Sequence, residues 1–194
     1  MAYKLRHRQR LLRVAVSVVF IILIVQNYLL VSRIEVQGQM IEELNRTIDH
    51  LTQIATGDTV RSFTALTEDS ALVIVDPKIK DQKMLLLVFA TWCKACKGNM
   101  HQWNLLADSL IGYVNLVGLT SDSLFRIHQY KTEAQMRFET YSVAHDFNIM
   151  KRHKLLSFPK TILVDTTGIV LNVWTGTLSD PMRSHIQRVV LGMK

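Results

Sequence analysis

Residues 84–97 read MLLLVFATWCKACK, and they hold the only two cysteines of a 194-residue chain, Cys93 and Cys96. The run at 84–90 is short, continuous and apolar, the pattern of a β-strand covered on both faces. After the cysteines, GNMHQWNLLADSL at 98–110 places apolar residues at helical spacing. The order strand, cysteine pair, helix puts both thiols at a helix N-terminus, where unpaired amides and the helix dipole favour a thiolate. Cys93 is therefore expected to be the more exposed and more acidic thiol, with Lys94 and Lys97 adding to the stabilisation of its anion. Cys96, one turn into the helix, is placed to attack a mixed disulfide formed on Cys93.

Several chemistries compete for Cys93-Lys94-Ala95-Cys96. A tetrahedral zinc site wants about four ligands, usually with a second Cys or His pair at short spacing. The seven histidines, at 7, 50, 101, 128, 145, 153 and 185, form no such pair, although a fold can assemble distant ligands. A c-type haem needs His directly after the second Cys, and Lys97 stands there. A structural disulfide stabilises more as its loop lengthens, and two intervening residues leave it little to constrain. Dithiol redox chemistry leads, with no metal and no cofactor beyond a Cys93–Cys96 disulfide.

Downstream the pattern alternates. VNLVGLT (114–120) reads as a strand, SDSLFRIHQYKTEAQMRF (121–138) as a helix, TYSVAHD (140–146) as a short strand and FNIMKRHKLL (147–156) as a helix. SFPKTILVD and GIVLNVWTG then form a strand pair turned by Thr166-Thr167-Gly168, and Asp180-Pro181 opens a closing helix. Strands alternating with helices and ending in a hairpin give an α/β sandwich around a mixed sheet.

Upstream, residues 1–33 carry six Lys or Arg and no acid, so of the net charge of +7 only +1 belongs to everything beyond them. The basic character is thus a topology signal and argues against a nucleic-acid partner. VAVSVVFIILIVQNYLLV at 14–31 has no charge and spans about 27 Å as a helix, close to a hydrocarbon core of roughly 30 Å. With the basic flank at 1–13 it reads as a single-pass signal anchor, its N-terminus cytoplasmic and the remainder exported to the extracytoplasmic side. The exit has no A-x-A-like cleavage triplet. In the stalk at 32–57, Ile34, Gln37, Ile41, Leu44, Ile48, Leu51 and Ala55 alternate at three and four residues, a heptad seam. It suits either a short parallel coiled coil joining two chains or a lone stalk helix, ended at Gly57-Asp58.

FATWCKAC followed some sixty residues later by SFPKTILVDTTGIV resembles the thioredoxin superfamily, specifically its membrane-anchored TlpA/ResA-like branch. FTALTEDSALVIVD is similar to that branch's lead-in. The resemblance covers residues 58–194 and implies a thioredoxin-like fold and a thiol-disulfide oxidoreductase. It implies that Cys93 attacks and Cys96 resolves, with Trp92 as aromatic neighbour beside Lys94 and Ala95. Pro159 matches the family's cis-proline, and Phe158 would offer backbone groups to an extended substrate. Pro159 also lacks an N–H and suits a strand start. The partners implied are a protein disulfide or thiol and a membrane electron donor. Two family carboxylates are missing: Leu87 and Asn99 occupy their positions. That departure keeps a rival reading open, a binding module or metal chaperone with His101 as the third ligand nearest in sequence.

Overall fold

The computed structural model of this chain describes residues 2–79 and 81–193, with side chains from Phe20 onward except those of residues 46 and 49–51. The chain divides into two units, Met1–Asp49 and His50–Lys194. The first is helix α1 (Ala2–Thr52), which continues three residues into the second. Within α1, Phe20–Asn45 is long and apolar enough to cross a membrane, at mean hydropathy 1.3. The expected span at 14–31 overlaps this stretch; its first six residues, and the basic tail, lie outside the described side chains.

The helix ends at Thr52, five residues before the expected Gly57, because the second unit draws residues 53–60 into its own packing. Ile54 and Val60 are buried in its core. The Ile54 N–H donates to the Lys154 carbonyl, and Gly57 pairs with Val170 on the closing hairpin. Ala55, the last member of the expected seam, is therefore not helical; its N–H donates to the Asp58 carboxylate at 2.9 Å.

Seven strands form one mixed sheet. They are β1 (Phe63–Leu66), β2 (Leu72–Val75), β3 (Met84–Val88), β4 (Asn115–Thr120), β5 (Glu139–Ser142), β6 (Lys160–Val164) and β7 (Val170–Thr175), in the order β2-β1-β5-β4-β3-β6-β7. The lead-in is a hairpin, β1 antiparallel to β2. β3 lies near the centre, parallel to β4 and antiparallel to β6. Every residue of β3 and β6 is buried, which is why both read as unbroken apolar runs apart from Lys160 and Thr161.

Alternation along β3 assigns its side chains to two cores. Leu85, Leu87 and Phe89 face a cluster with Met100, Trp103 and Leu106 of α2 (Lys94–Ser109), Tyr130 of α3 (Leu124–Ala134) and Ile186 of α5 (Asp180–Leu191). Met84, Leu86 and Val88 face the other, with Ile54, Val60 and Ile149 of α4 (Asn148–Arg152). α3 and α4 are shorter than the sequence pattern suggests. Gln135 caps α3 in the left-handed region at φ 50°, and beyond it Met136 and Phe138 turn into the core. Gly118 of β4 lies under this packing: a Cβ there would stand 2.8 Å from the Thr140 hydroxyl and 3.2 Å from the Phe89 ring.

Candidate active site

The cysteine pair follows the C-terminal end of β3, and α2 receives it. The Cys93 N–H donates to the Ala90 carbonyl, and the Thr91 N–H to the Asp122 carboxylate, so the connecting loop is tied down at both ends. Cys93 is the N-cap of α2, in extended conformation at φ −80°, ψ 111°. Its Sγ accepts the Cys96 N–H at 3.2 Å, satisfying one of the amides a helix start leaves unpaired. Both cysteines are free thiols; Cys93 is half-buried and Cys96 fully buried. Burial, followed by its interaction with the Cys93 side chain, pushes the Cys96 thiol up to about 12.

The aromatic rim is formed from two distant segments. Trp92 is 69% exposed, and its ring meets that of Phe158 edge-on at 6.0 Å between centroids. The Phe158–Pro159 bond is cis and Pro159 is buried. Lys94 and Ala95 are exposed on the first turn of α2. Thus Trp92 and Cys93 meet Phe158, at least 65 residues further along the sequence: the two rings touch, and Cys93 and Phe158 both pack against the α2 core cluster.

The two positions without a family carboxylate have definite occupants. Leu87 is fully buried, paired with Gly118 on one side and Thr161 on the other. Asn99 is also fully buried, but its amide faces the connection between β7 and α5: Nδ2 donates to the Gly176 carbonyl at 2.9 Å and Oδ1 accepts the Leu178 N–H at 2.7 Å. His101 is exposed on α2. Among the described residues no group of three or more His, Cys, Asp or Glu could hold a metal ion.

Three further residues, not singled out from sequence, are buried in the elements that carry the site. Lys160, next to the cis bond, is 1% exposed and donates to the Gln53 side chain at 3.0 Å and to the Thr175 hydroxyl at 3.3 Å. Thr161 accepts the Trp103 indole N–H at 2.9 Å, fixing α2 on the sheet. Tyr130 is 6% exposed and stacked on Phe89, with centroids 5.8 Å apart. Its hydroxyl is buried without a hydrogen-bond partner, while the residue contributes to the wall of an open recess of about 230 Å³ together with Thr91, Trp92, Arg126, Gln129 and Glu133. Burial pushes its phenol up to about 12, reinforced by negative charge on Cys96 and then Cys93. No pattern of residue types marks Tyr130 in the sequence, because its place depends on Phe89, 41 residues earlier.

Comparison with known proteins places this architecture. Residues 56–173 match the AhpC/TSA family. The chain is 27% identical over 107 residues to the thioredoxin-like protein YneN of Bacillus subtilis (strain 168), covering 52% of this chain and 60% of that protein. The thioredoxin domain of thiol-disulfide oxidoreductase BVU-2223 from Bacteroides vulgatus superimposes with a TM-score of 0.61 at 15% identity, over 71% of this chain and 99% of that one. StoA from Bacillus subtilis gives 0.55 at 17% identity, over 68% and 97%. At these identities the solved structures establish the thioredoxin-like fold, whose mixed sheet carries a cysteine pair at the start of a helix and a cis-proline beside it. With the family match spanning well over half of its length, the chain belongs to the AhpC/TSA family of thioredoxin-like proteins.

Proposed function

We propose that this protein is a membrane-tethered, extracytoplasmic thiol-disulfide oxidoreductase that reduces protein disulfides through Cys93 and Cys96. The observation that carries the proposal is the asymmetry of the two sulfurs: Cys93 reaches the surface as a helix cap, while Cys96 is buried directly behind it. In the first step the Cys93 thiolate attacks one sulfur of a substrate disulfide. That S–S bond breaks, the departing sulfur keeps the electron pair and takes a proton, and Cys93 is left in a mixed disulfide. Cys96 then gives up its proton and attacks the Cys93 sulfur. The second substrate thiol leaves, and the enzyme holds a Cys93–Cys96 disulfide in exchange for a substrate reduced by two electrons. The rim of Trp92 and Phe158 gives an extended substrate an apolar face, and the backbone at Phe158 gives it hydrogen-bonding groups.

The apolar stretch of α1 supports a bilayer anchor, and the basic residues before it support a cytoplasmic N-terminus. In that topology the disulfide is reduced again by a membrane electron donor drawing on the cytoplasm. The apolar side chains of Ile34, Ile41, Leu44 and Ile48, all exposed along α1, support pairing of two chains.

The test is turnover together with potential. The full chain in detergent, equilibrated against glutathione and dithiothreitol, is expected to show a reversible couple near the thioredoxin value of about −270 mV. It is also expected to reduce insulin disulfides, and Cys93→Ser should abolish that activity. A couple near −120 mV would reverse the direction to disulfide donation. No reversible couple at all would leave a binding module, the reading that the uncharged Leu87 and Asn99 would then favour.

A further inference from the structure

A substrate disulfide that reaches Cys93 must lie against the surface around it, and the charges on that surface are unequal. The open recess of about 230 Å³ beside the active-site loop is walled by Thr91 and by Trp92, the residue before Cys93, together with Arg126, Gln129 and Glu133 of α3. The carboxylates here are already engaged. Glu133 accepts the Gln129 amide at 3.1 Å, while Asp122, behind the loop, accepts the Thr91 N–H and the Thr120 hydroxyl. Arg126 is exposed, and among the described residues its guanidinium has no hydrogen-bond or ion-pair partner. Lys94 and Lys97 are likewise exposed and unpaired among the described residues, at the start of α2, whose first turn carries no acid and whose dipole adds positive potential. The loop, the start of α2 and the recess thus carry three open cations against two carboxylates whose oxygens are held.

We propose that Arg126 is a specificity-determining residue: it takes the carboxylate of an Asp or Glu that flanks the substrate's reacting cysteine, so that the protein selects disulfides set in acidic segments. A guanidinium presents its N–H donors as a planar fork that fits a carboxylate with two parallel hydrogen bonds. The recess is open, so a short acidic side chain can enter it from a segment lying on Trp92. Because Trp92 adjoins Cys93 in the chain, the residues that pass over the recess are those a few positions from the cysteine under attack. Lys94, Lys97 and the start of α2 act over a longer range. They draw an acidic segment towards the thiol, and steering of this kind raises association rates by about 10- to 1000-fold in weak salt. Glu133 lies seven residues beyond Arg126, about 10 Å further along the helix, and disfavours a second acid at that end of the recess.

This selectivity rests on the redox reading above, and its test separates the two. Three peptides with the same intramolecular cystine, flanked by Glu, Ser or Lys, are mixed in turn with the reduced full chain in nonionic detergent, and loss of the peptide disulfide is followed in a single turnover. Each rate is divided by that of dithiothreitol with the same peptide, which removes the effect of flanking charge on the disulfide itself. At roughly 10 mM ionic strength the Glu peptide is expected to exceed the Lys peptide by at least about tenfold. At roughly 1 M, where charges are screened beyond about 3 Å, the ratio should fall to within about threefold. Arg126→Gln should lower the low-salt ratio of the Glu peptide to the Ser peptide by about fivefold, the upper end for a solvent-exposed ion pair, and Arg126→Glu should lower it further. A wild-type ratio of Glu to Lys peptide below about tenfold in weak salt, or a ratio of Glu to Ser peptide that both variants leave within about twofold of the wild type, overturns the role of Arg126. Reduction of the Ser peptide then leaves the redox reading standing. No reduction of any of the three overturns the redox reading and the selectivity with it.

Discussion

Asn99 holds a carbonyl and an amide of the same connection at once, the Gly176 oxygen and the Leu178 N–H, from a side chain with no solvent contact. Removing it strands two backbone groups. An unmet buried partner costs about 1–3 kcal/mol, so Asn99→Ala is expected to lower unfolding free energy by about 2–4 kcal/mol in urea titrations. A loss below about 1 kcal/mol would mean that water replaces the amide. What the sequence discloses at this scale is uneven. Cys93, Cys96 and Pro159 stand out because their chemistry constrains which residue can occupy the position: a thiol pair at fixed spacing, and a ring without an N–H at a strand start. The absence of a carboxylate at 87 and 99 is equally plain. That Asn99 serves the β7–α5 connection is not legible, since Gly176 and Leu178 lie more than 75 residues away. Tyr130 escapes for the same reason. A tyrosine within an amphipathic helix is ordinary until its hydroxyl is found buried without a partner.

Elements were legible where apolar periodicity was strong and obscured where tertiary contacts trimmed them. β3 and β6 follow the apolar runs, and the Thr166-Thr167-Gly168 turn lies where turn chemistry puts it. α1, by contrast, ends at Thr52, and Ile54 just beyond it is buried in the core. The turn between β6 and β7 shows how closely this junction is fitted. The Asp165 carboxylate accepts the Thr167 hydroxyl and the N–H groups of Thr167 and Ile169, and these bonds, led by that of the Thr167 side chain, hold it below its ordinary value. Gly168 sits at φ +91°, donates to the Asp165 carbonyl and accepts from the Val60 N–H. A Cβ there would lie 2.7 Å from the Val60 carbonyl oxygen. Gly168→Ala therefore combines an unfavourable backbone region with a backbone clash. It should destabilise the domain by about 1–3 kcal/mol in thermal unfolding. A variant melting with the wild type would show that the 57–60 segment can move aside.

Over the whole chain, the structural boundary and the sequence boundary differ by eight residues, and the difference has a practical test. The resemblance starts at 58, whereas the compact unit starts at His50. Residues 50–57 bring Ile54 into the core and place Gln53 against Lys160 and Ser157, on either side of Phe158–Pro159. Burying one isoleucine contributes about 1.5–3 kcal/mol, before the hydrogen bonds of Gln53 are counted. A fragment 50–194 is expected to unfold cooperatively as a monomer, and 58–194 to be less stable by at least about 2 kcal/mol; equal stabilities would sink this boundary. Sedimentation of the full chain in detergent as a dimer would assign pairing to α1, and a monomeric full chain would remove it. Cys93, lastly, the thiol proposed to react, also supplies the atom that caps α2. The two oxidation states of the pair therefore start the same helix with different chemistry, and folding and redox equilibria close a thermodynamic cycle. Whatever free energy separates the unfolding of the dithiol and disulfide forms must reappear as a displacement of the couple from that of the unfolded chain, about 30 mV for each 1.4 kcal/mol. A pair of denaturation curves is thus a potentiometer for this protein.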